Sequence, residues 1–75
     1  MKILAFGQIA DITQQTQWEI DSQSDIAALQ NWLHESFPAM ASMTYLIAVN
    51  QQIVKENIAL KESDVIALLP PFSGG

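Results

Sequence analysis

The residues best suited to chemistry are the last six, Pro70-Pro71-Phe72-Ser73-Gly74-Gly75. Gly74 and Gly75 carry no side chains, so they can pass through a channel too narrow for any other residue type, with the carboxylate leading. Pro70 and Pro71 cannot donate to a sheet ladder and favour an extended polyproline path, which ends a strand and aims the following residues away from it. Fully extended, such a segment reaches roughly 20 Å at about 3.3–3.6 Å per residue, far enough to enter another protein's active site. A carboxylate is a poor acyl donor, because its leaving group would be oxide. Attack on the α-phosphate of ATP would turn it into an acyl adenylate, and sulfide delivered to that mixed anhydride would leave a terminal thiocarboxylate. Such a group carries sulfur without a thiol, and the chain has no cysteine. The plainer reading is a frayed glycine-rich end. Two prolines directly after an apolar strand, together with the paired glycines, favour the carrier, with Gly75 as the reactive residue and Gly74 giving it clearance.

Other reactive side chains carry less. His34 is the sole histidine and cannot form a metal site alone, so it reads as a boundary side chain of a helix. Glu19, Asp21 and Asp25 are explained by a helix start, where negative charge is favourable, and no metal is expected. Trp18 and Trp32 read as packing residues. Ser73 has no accompanying His or Asp pattern and is given no nucleophilic role. Lys2, Lys55 and Lys61 are too few for a basic patch.

Three basic against eight acidic residues give a formal charge of -5, which repels phosphate backbones and anionic lipids, so neither nucleic acid nor membrane is an expected partner. The charge instead suits a partner with a basic docking surface. At 75 residues the chain has room for one domain, whose core is too small to enclose a large pocket, and a self-contained enzyme is not expected. With 49% hydrophobic and 15% charged residues it has the composition of a folded protein. A polar residue by Gln8 interrupts the apolar opening before it reaches the length of a signal-peptide core, and no run suits a membrane span. The expected location is the cytosol.

The elements that must present the tail follow from periodicity. Lys2 to Ile9 alternate, with Ile3, Ala5, Gly7 and Ile9 on a core-facing phase, as in a strand. Ala10 to Gln17 reads as a turn and Gln15 to Ile20 as a second strand, completing a hairpin. Ser22 or Ser24 is the expected N-cap of a helix, along which Ile26, Leu29, Leu33 and Phe37 form one stripe until Pro38 stops it. Tyr45 to Asn50 and Asp64 to Leu69 read as strands, Ile53-Val54 as a short one, and Asn50-Gln51-Gln52 as a turn. The order predicts an α+β fold of the β-grasp type, of which ubiquitin is the familiar example. A mixed sheet of four to five strands in residues 1–69 packs on one main helix, and 70–75 form an extended tail. One helix covers one sheet face only. Leu4, Phe6, Leu46, Ala48, Val65, Ala67 and Leu69 fall on the other, which predicts an exposed apolar docking patch.

Asp64-Val65-Ile66-Ala67-Leu68-Leu69-Pro70-Pro71-Phe72-Ser73-Gly74-Gly75, with Ala48-Val49-Asn50-Gln51, Leu60 and the first strand, resembles the MoaD-type small subunit of molybdopterin synthase, a ubiquitin-like sulfur carrier. The resemblance implies that a MoeB-type adenylating enzyme charges Gly75 with consumption of ATP, no cofactor being held permanently. The thiocarboxylate would then enter a MoaE-type large subunit and supply sulfur for molybdopterin, made from cyclic pyranopterin monophosphate. It further implies a heterotetramer of two small and two large subunits, most catalytic groups on the large one, and docking through Phe6, Ile53 and Leu69, with Pro70, Pro71, Phe72 and Ser73 along the tail's path. Ala10-Asp11 stands where the family often has Arg-Glu, Ser63 where it usually has glycine, and Phe72 where a smaller residue is common. The competing readings are a carrier serving another acceptor (thiazole, a thiolated tRNA or an amino acid) and a β-grasp binding module or tag. Pro70-Pro71 disfavours the thiazole carriers, which usually lack that pair.

Overall fold

A computed structural model describes residues 1–71. The sheet has five strands: β1 (Lys2–Ala5), β2 (Gln17–Glu19), β3 (Leu46–Val49), β4 (Gln52–Val54) and β5 (Val65–Leu69). Their order is β2-β1-β5-β3-β4, with β1 and β5 parallel and the other pairs antiparallel. The helices are α1 (Gln8–Thr13), α2 (Ile26–Ser36) and a 3₁₀ turn, Pro38–Ser42. This is the expected β-grasp arrangement. No helix among the described residues is long and apolar enough to cross a membrane.

Alternation works as expected in the central strands. Ile3, Ala5, Ile66 and Leu68 point into the core, where they meet Leu29 and Leu33 of α2. Met40 of the 3₁₀ turn is fully buried beside them. The α2 stripe ends in Phe37, the C-cap, and Pro38 opens the 3₁₀ turn instead of continuing the helix. The N-cap is Asp25, not Ser22 or Ser24. Its carboxylate accepts from the Ala28 N–H at 2.8 Å with one oxygen and from Asn57 Nδ2 at 3.2 Å with the other. The same cap therefore also ties down the segment after β4, which a bridge from Asp25 to Ala59 holds against the helix start.

The first strand is shorter than the alternation implies. It stops at Ala5, Gly7 lies exposed in a turn, and Ile9 reaches the core from α1 rather than from an extended strand. Residues read as a loop thus include a short helix. Ile9 and Thr13, four apart, are its two buried anchors, and Gln14 closes it in the left-handed region with its N–H on the Ala10 carbonyl. Two anchors in six residues give too little periodicity to outweigh the polar run around them.

Gly7 has φ 56° and ψ -131°, a combination outside the left-handed well that asparagine or aspartate tolerate. A Cβ there would stand 3.0 Å from Pro70 Cγ. Both constraints act against any side chain. Gly7→Ala is expected to lower unfolding stability by about 1–3 kcal/mol, read from chemical denaturation.

The turn after β3 also shows backbone with positive φ, at Asn50 (50°) and Gln51 (72°), which joins β3 to β4 as a two-residue hairpin of the I′ kind. Ser63, by contrast, is not among the positive-φ residues. The turn from Lys61 to Asp64 closes by a 3.0 Å backbone bond and accepts serine without strain.

Candidate functional site

The sheet face turned away from α2 gathers the residues expected there. Leu4, Phe6, Ala48, Ile53, Val65, Ala67 and Leu69 line one shallow apolar depression, with Asn50 and Gln51 at its polar end. None of the lining residues is charged. Register explains the grouping: Ala67 of β5 lies between Leu4 of β1 and Ala48 of β3, and Ile53 of β4 is paired with Ala48. Phe6 is 46% exposed and Ile53 51%, and large apolar side chains left open on one uncharged face mark a docking surface. Ile53 thereby joins Phe6 and Leu69 on one face. Ala48 lies on this face as expected, although it is buried between its cross-strand neighbours Ile53 and Ala67. Leu46, also expected on this face, is half-buried and does not line the depression.

The β5 strand leads from this face towards the tail. Phe6 donates its N–H to the Leu68 carbonyl at 3.1 Å, and Gly7 meets Pro70 just beyond the strand end. Pro70 is half-buried and Pro71 exposed. Phe72, Ser73, Gly74 and Gly75, expected to enter a partner, lie outside the described residues.

The polar end of the depression is held by a small network. Asn50 grips the start of β5 with backbone and side chain: its N–H donates to the Val65 carbonyl at 2.8 Å, and its Oδ1 accepts from the Val65 N–H at 3.0 Å. Its Nδ2 donates to Asp64 at 2.9 Å, and the other Asp64 oxygen accepts the Lys61 N–H at 2.8 Å. The Lys61 amide first and the Asn50 amide second hold the Asp64 carboxyl below its ordinary 3.8. Since the folded value lies below the unfolded one, this stabilisation is complete above the unfolded value and drains away as pH falls through the folded one. Asp64→Asn is therefore expected to be less stable than the parent at neutral pH. That gap should narrow in acid denaturation curves taken from neutral pH to below 3.8.

The residues set aside as packing behave so. Trp18 and Trp32 both meet Phe37 edge-on, at 6.0 and 6.3 Å between ring centres. His34 is a boundary residue, and its partner is Tyr45, whose hydroxyl lies 2.8 Å from Nε2. Burial raises the pKa of the Tyr45 hydroxyl, and the neighbouring Gln30 side chain acts in the opposite direction. Ala10 and Asp11, where the family that the chain resembles often has Arg-Glu, lie on α1, and Asp11 is exposed. The polar rim residues Asn50 and Gln51 are legible in the sequence as a turn and as part of the Ala48-Val49-Asn50-Gln51 resemblance, but not as site residues.

A family model described as the ThiS family matches residues 3–75. The chain belongs to the ThiS family. Among relatives of this ThiS-family chain, the molybdopterin synthase sulfur carrier subunit of Chlamydomonas reinhardtii is 32% identical over 82 residues, taking in 100% of this chain and 98% of that protein. The Homo sapiens molybdopterin synthase sulfur carrier subunit is 32% identical over 82 residues, covering 100% of this chain and 93% of the relative. One similar solved chain comes from the complex of subunits 1 and 2 of the molybdopterin-converting factor of Helicobacter pylori. Its TM-score is 0.74 at 30% identity, covering 99% of this chain and 96% of that one. The small archaeal modifier protein 1 of Methanosarcina acetivorans superposes with TM-score 0.81 over 99% of this chain and 94% of its own, at 20% identity, and shows the shared fold.

Proposed function

We propose that this ThiS-family protein is the cytoplasmic sulfur carrier of molybdopterin synthesis and forms the small subunit of a molybdopterin synthase. The observation that carries the reading is full-length similarity, at 32% identity, to two molybdopterin synthase sulfur carrier subunits. The uncharged apolar face and the strand that leads from it to Pro70-Pro71 give the carrier a place to dock and a direction for its end.

In this cycle a MoeB-type enzyme holds ATP while a Gly75 carboxylate oxygen attacks the α-phosphorus and pyrophosphate leaves. Sulfide, delivered as hydrosulfide, then attacks the acyl carbon, its proton is lost, AMP leaves, and Gly75 ends as a thiocarboxylate. The apolar face formed by Phe6, Ile53 and Leu69 seats on a MoaE-type large subunit, two copies of each making the complex. Pro70, Pro71, Phe72 and Ser73 guide Gly74 and Gly75 into its active site. There the sulfur passes to cyclic pyranopterin monophosphate, with catalytic groups supplied by the large subunit.

Intact mass spectrometry after incubation with ATP, the cognate adenylating enzyme and a sulfur donor tests the first half. The expected product is heavier by the exchange of one oxygen for one sulfur. Conjugates to lysines would instead identify a protein tag. Restoration of molybdoenzyme activity in cells lacking the small subunit tests the second half, and failure there with normal thiocarboxylation would assign the sulfur to another acceptor.

A further inference from the structure

A second concave surface lies on the helix side of the sheet, away from the face assigned above. It is a groove of about 600 Å³ between β2 and the C-terminal end of α2, floored by Trp18, Trp32 and Phe37. The two charged residues lining it are Glu19 and Asp21, both acidic and exposed.

One wall of this groove is an open sheet edge, because among the described residues β2 is the terminal strand and pairs on one side only, with β1. The bonds between them fix which backbone groups are used. Ile20 donates to the Met1 carbonyl at 2.9 Å and accepts from the Met1 amino group at 3.1 Å, and Thr16 accepts from the Ala5 N–H at 3.0 Å. Antiparallel ladders alternate, so Trp18 also turns its backbone to β1, while Gln17 and Glu19 turn their N–H and carbonyl groups outward. The edge offers pairing groups, and the floor beside it offers aromatic surface on the face to which alternate residues of an added strand would point.

We infer that the β2 edge and this groove form a second docking site, which takes an extended segment of another protein as an added antiparallel or parallel strand. The segment has aliphatic residues at alternate positions, resting on Trp18, Trp32 and Phe37, and Lys or Arg near its ends, facing Glu19 and Asp21. Backbone pairing supplies affinity and the alternate side chains supply selectivity. The acidic rim excludes acidic peptides and the phosphates of nucleic acid. Because the site is on the opposite side from Phe6, Ile53 and Leu69, it stands whether or not the carrier reading does.

The test is selection of a displayed random-peptide library on the full chain, followed by amide chemical-shift mapping with the strongest peptides. Enrichment of basic, alternately aliphatic sequences that shift the Gln17 and Glu19 amides and the Trp18 and Trp32 indoles is the expected result. Gln17→Pro removes an outward N–H at an edge position that tolerates proline, and should weaken those peptides by about tenfold or more. Glu19→Lys with Asp21→Lys, two exposed changes, should weaken them as well without unfolding the domain. No enrichment above background, enrichment of acidic peptides, shifts confined to the Phe6 face, or equal binding by both variants would overturn the inference.

Discussion

Removing Gly75 is expected to abolish sulfur transfer completely while leaving the unfolding midpoint where it is in the full chain. The described core supports the second half of that statement, since its most C-terminal member is Leu68. The first half follows from the proposed chemistry, in which the reacting carboxylate must arrive on a residue that has no side chain. Truncation leaves a carboxylate on Gly74 but shortens the segment by about 3.3–3.6 Å, enough to take a reacting atom out of bonding range in both partner sites. Two measurements decide it. Thiocarboxylate formation read by intact mass and molybdopterin formation in the reconstituted complex should both be lost, with denaturation curves superimposable on those of the parent. Normal transfer by the truncated chain would show that neither Gly75 nor the full reach of the tail is needed.

A carboxylate placed in the middle of the apolar face should have the next largest effect. Ile53→Asp is expected to weaken binding to the large subunit by about 2–4 kcal/mol, or roughly 30- to 900-fold in Kd, by calorimetry or surface resonance. Magnitudes favour a charge over alanine as the probe. Covering the exposed half of an isoleucine is worth only about 1 kcal/mol, whereas burying an unpaired carboxylate costs several times that. Since Ile53 is half exposed in the free domain, the variant should fold normally. Leu69→Asp should act in the same direction, but with some loss of stability, because Leu69 is half-buried within β5.

Much of this architecture is legible in the sequence because it is carried by regular periodicity. Ile66 and Leu68 alternate with Val65, Ala67 and Leu69, and burial follows that pattern along β5. The α2 stripe is equally plain. What escapes is set by short or distant causes. α1 has two buried anchors inside a polar run, and its entry depends on the unusual backbone of Gly7. The helix cap is expected at Ser22 or Ser24, whereas Asp25 takes it and is also bonded to Asn57, far along the chain. The site shows the same division. Phe6 and Leu69 follow from alternation, but β4 is three residues long, too short to show which face Ile53 takes, and only its register with Ala48 fixes it. The closeness of Gly7 and Pro70 has no local signal at all, since it follows from the parallel pairing of β1 with β5.

That pairing also governs how the protein comes into being. β5 is the central strand, bonded to β1 on one side and β3 on the other, yet it is the last strand to be synthesised. A ribosome that stalls before Val65 releases two strand pairs with no middle to join them, and the contacts still missing span almost the whole chain, the slowest kind to form. Chains cut short before Val65 therefore lack the strand that joins the two halves of the sheet, and they are expected to stay unfolded.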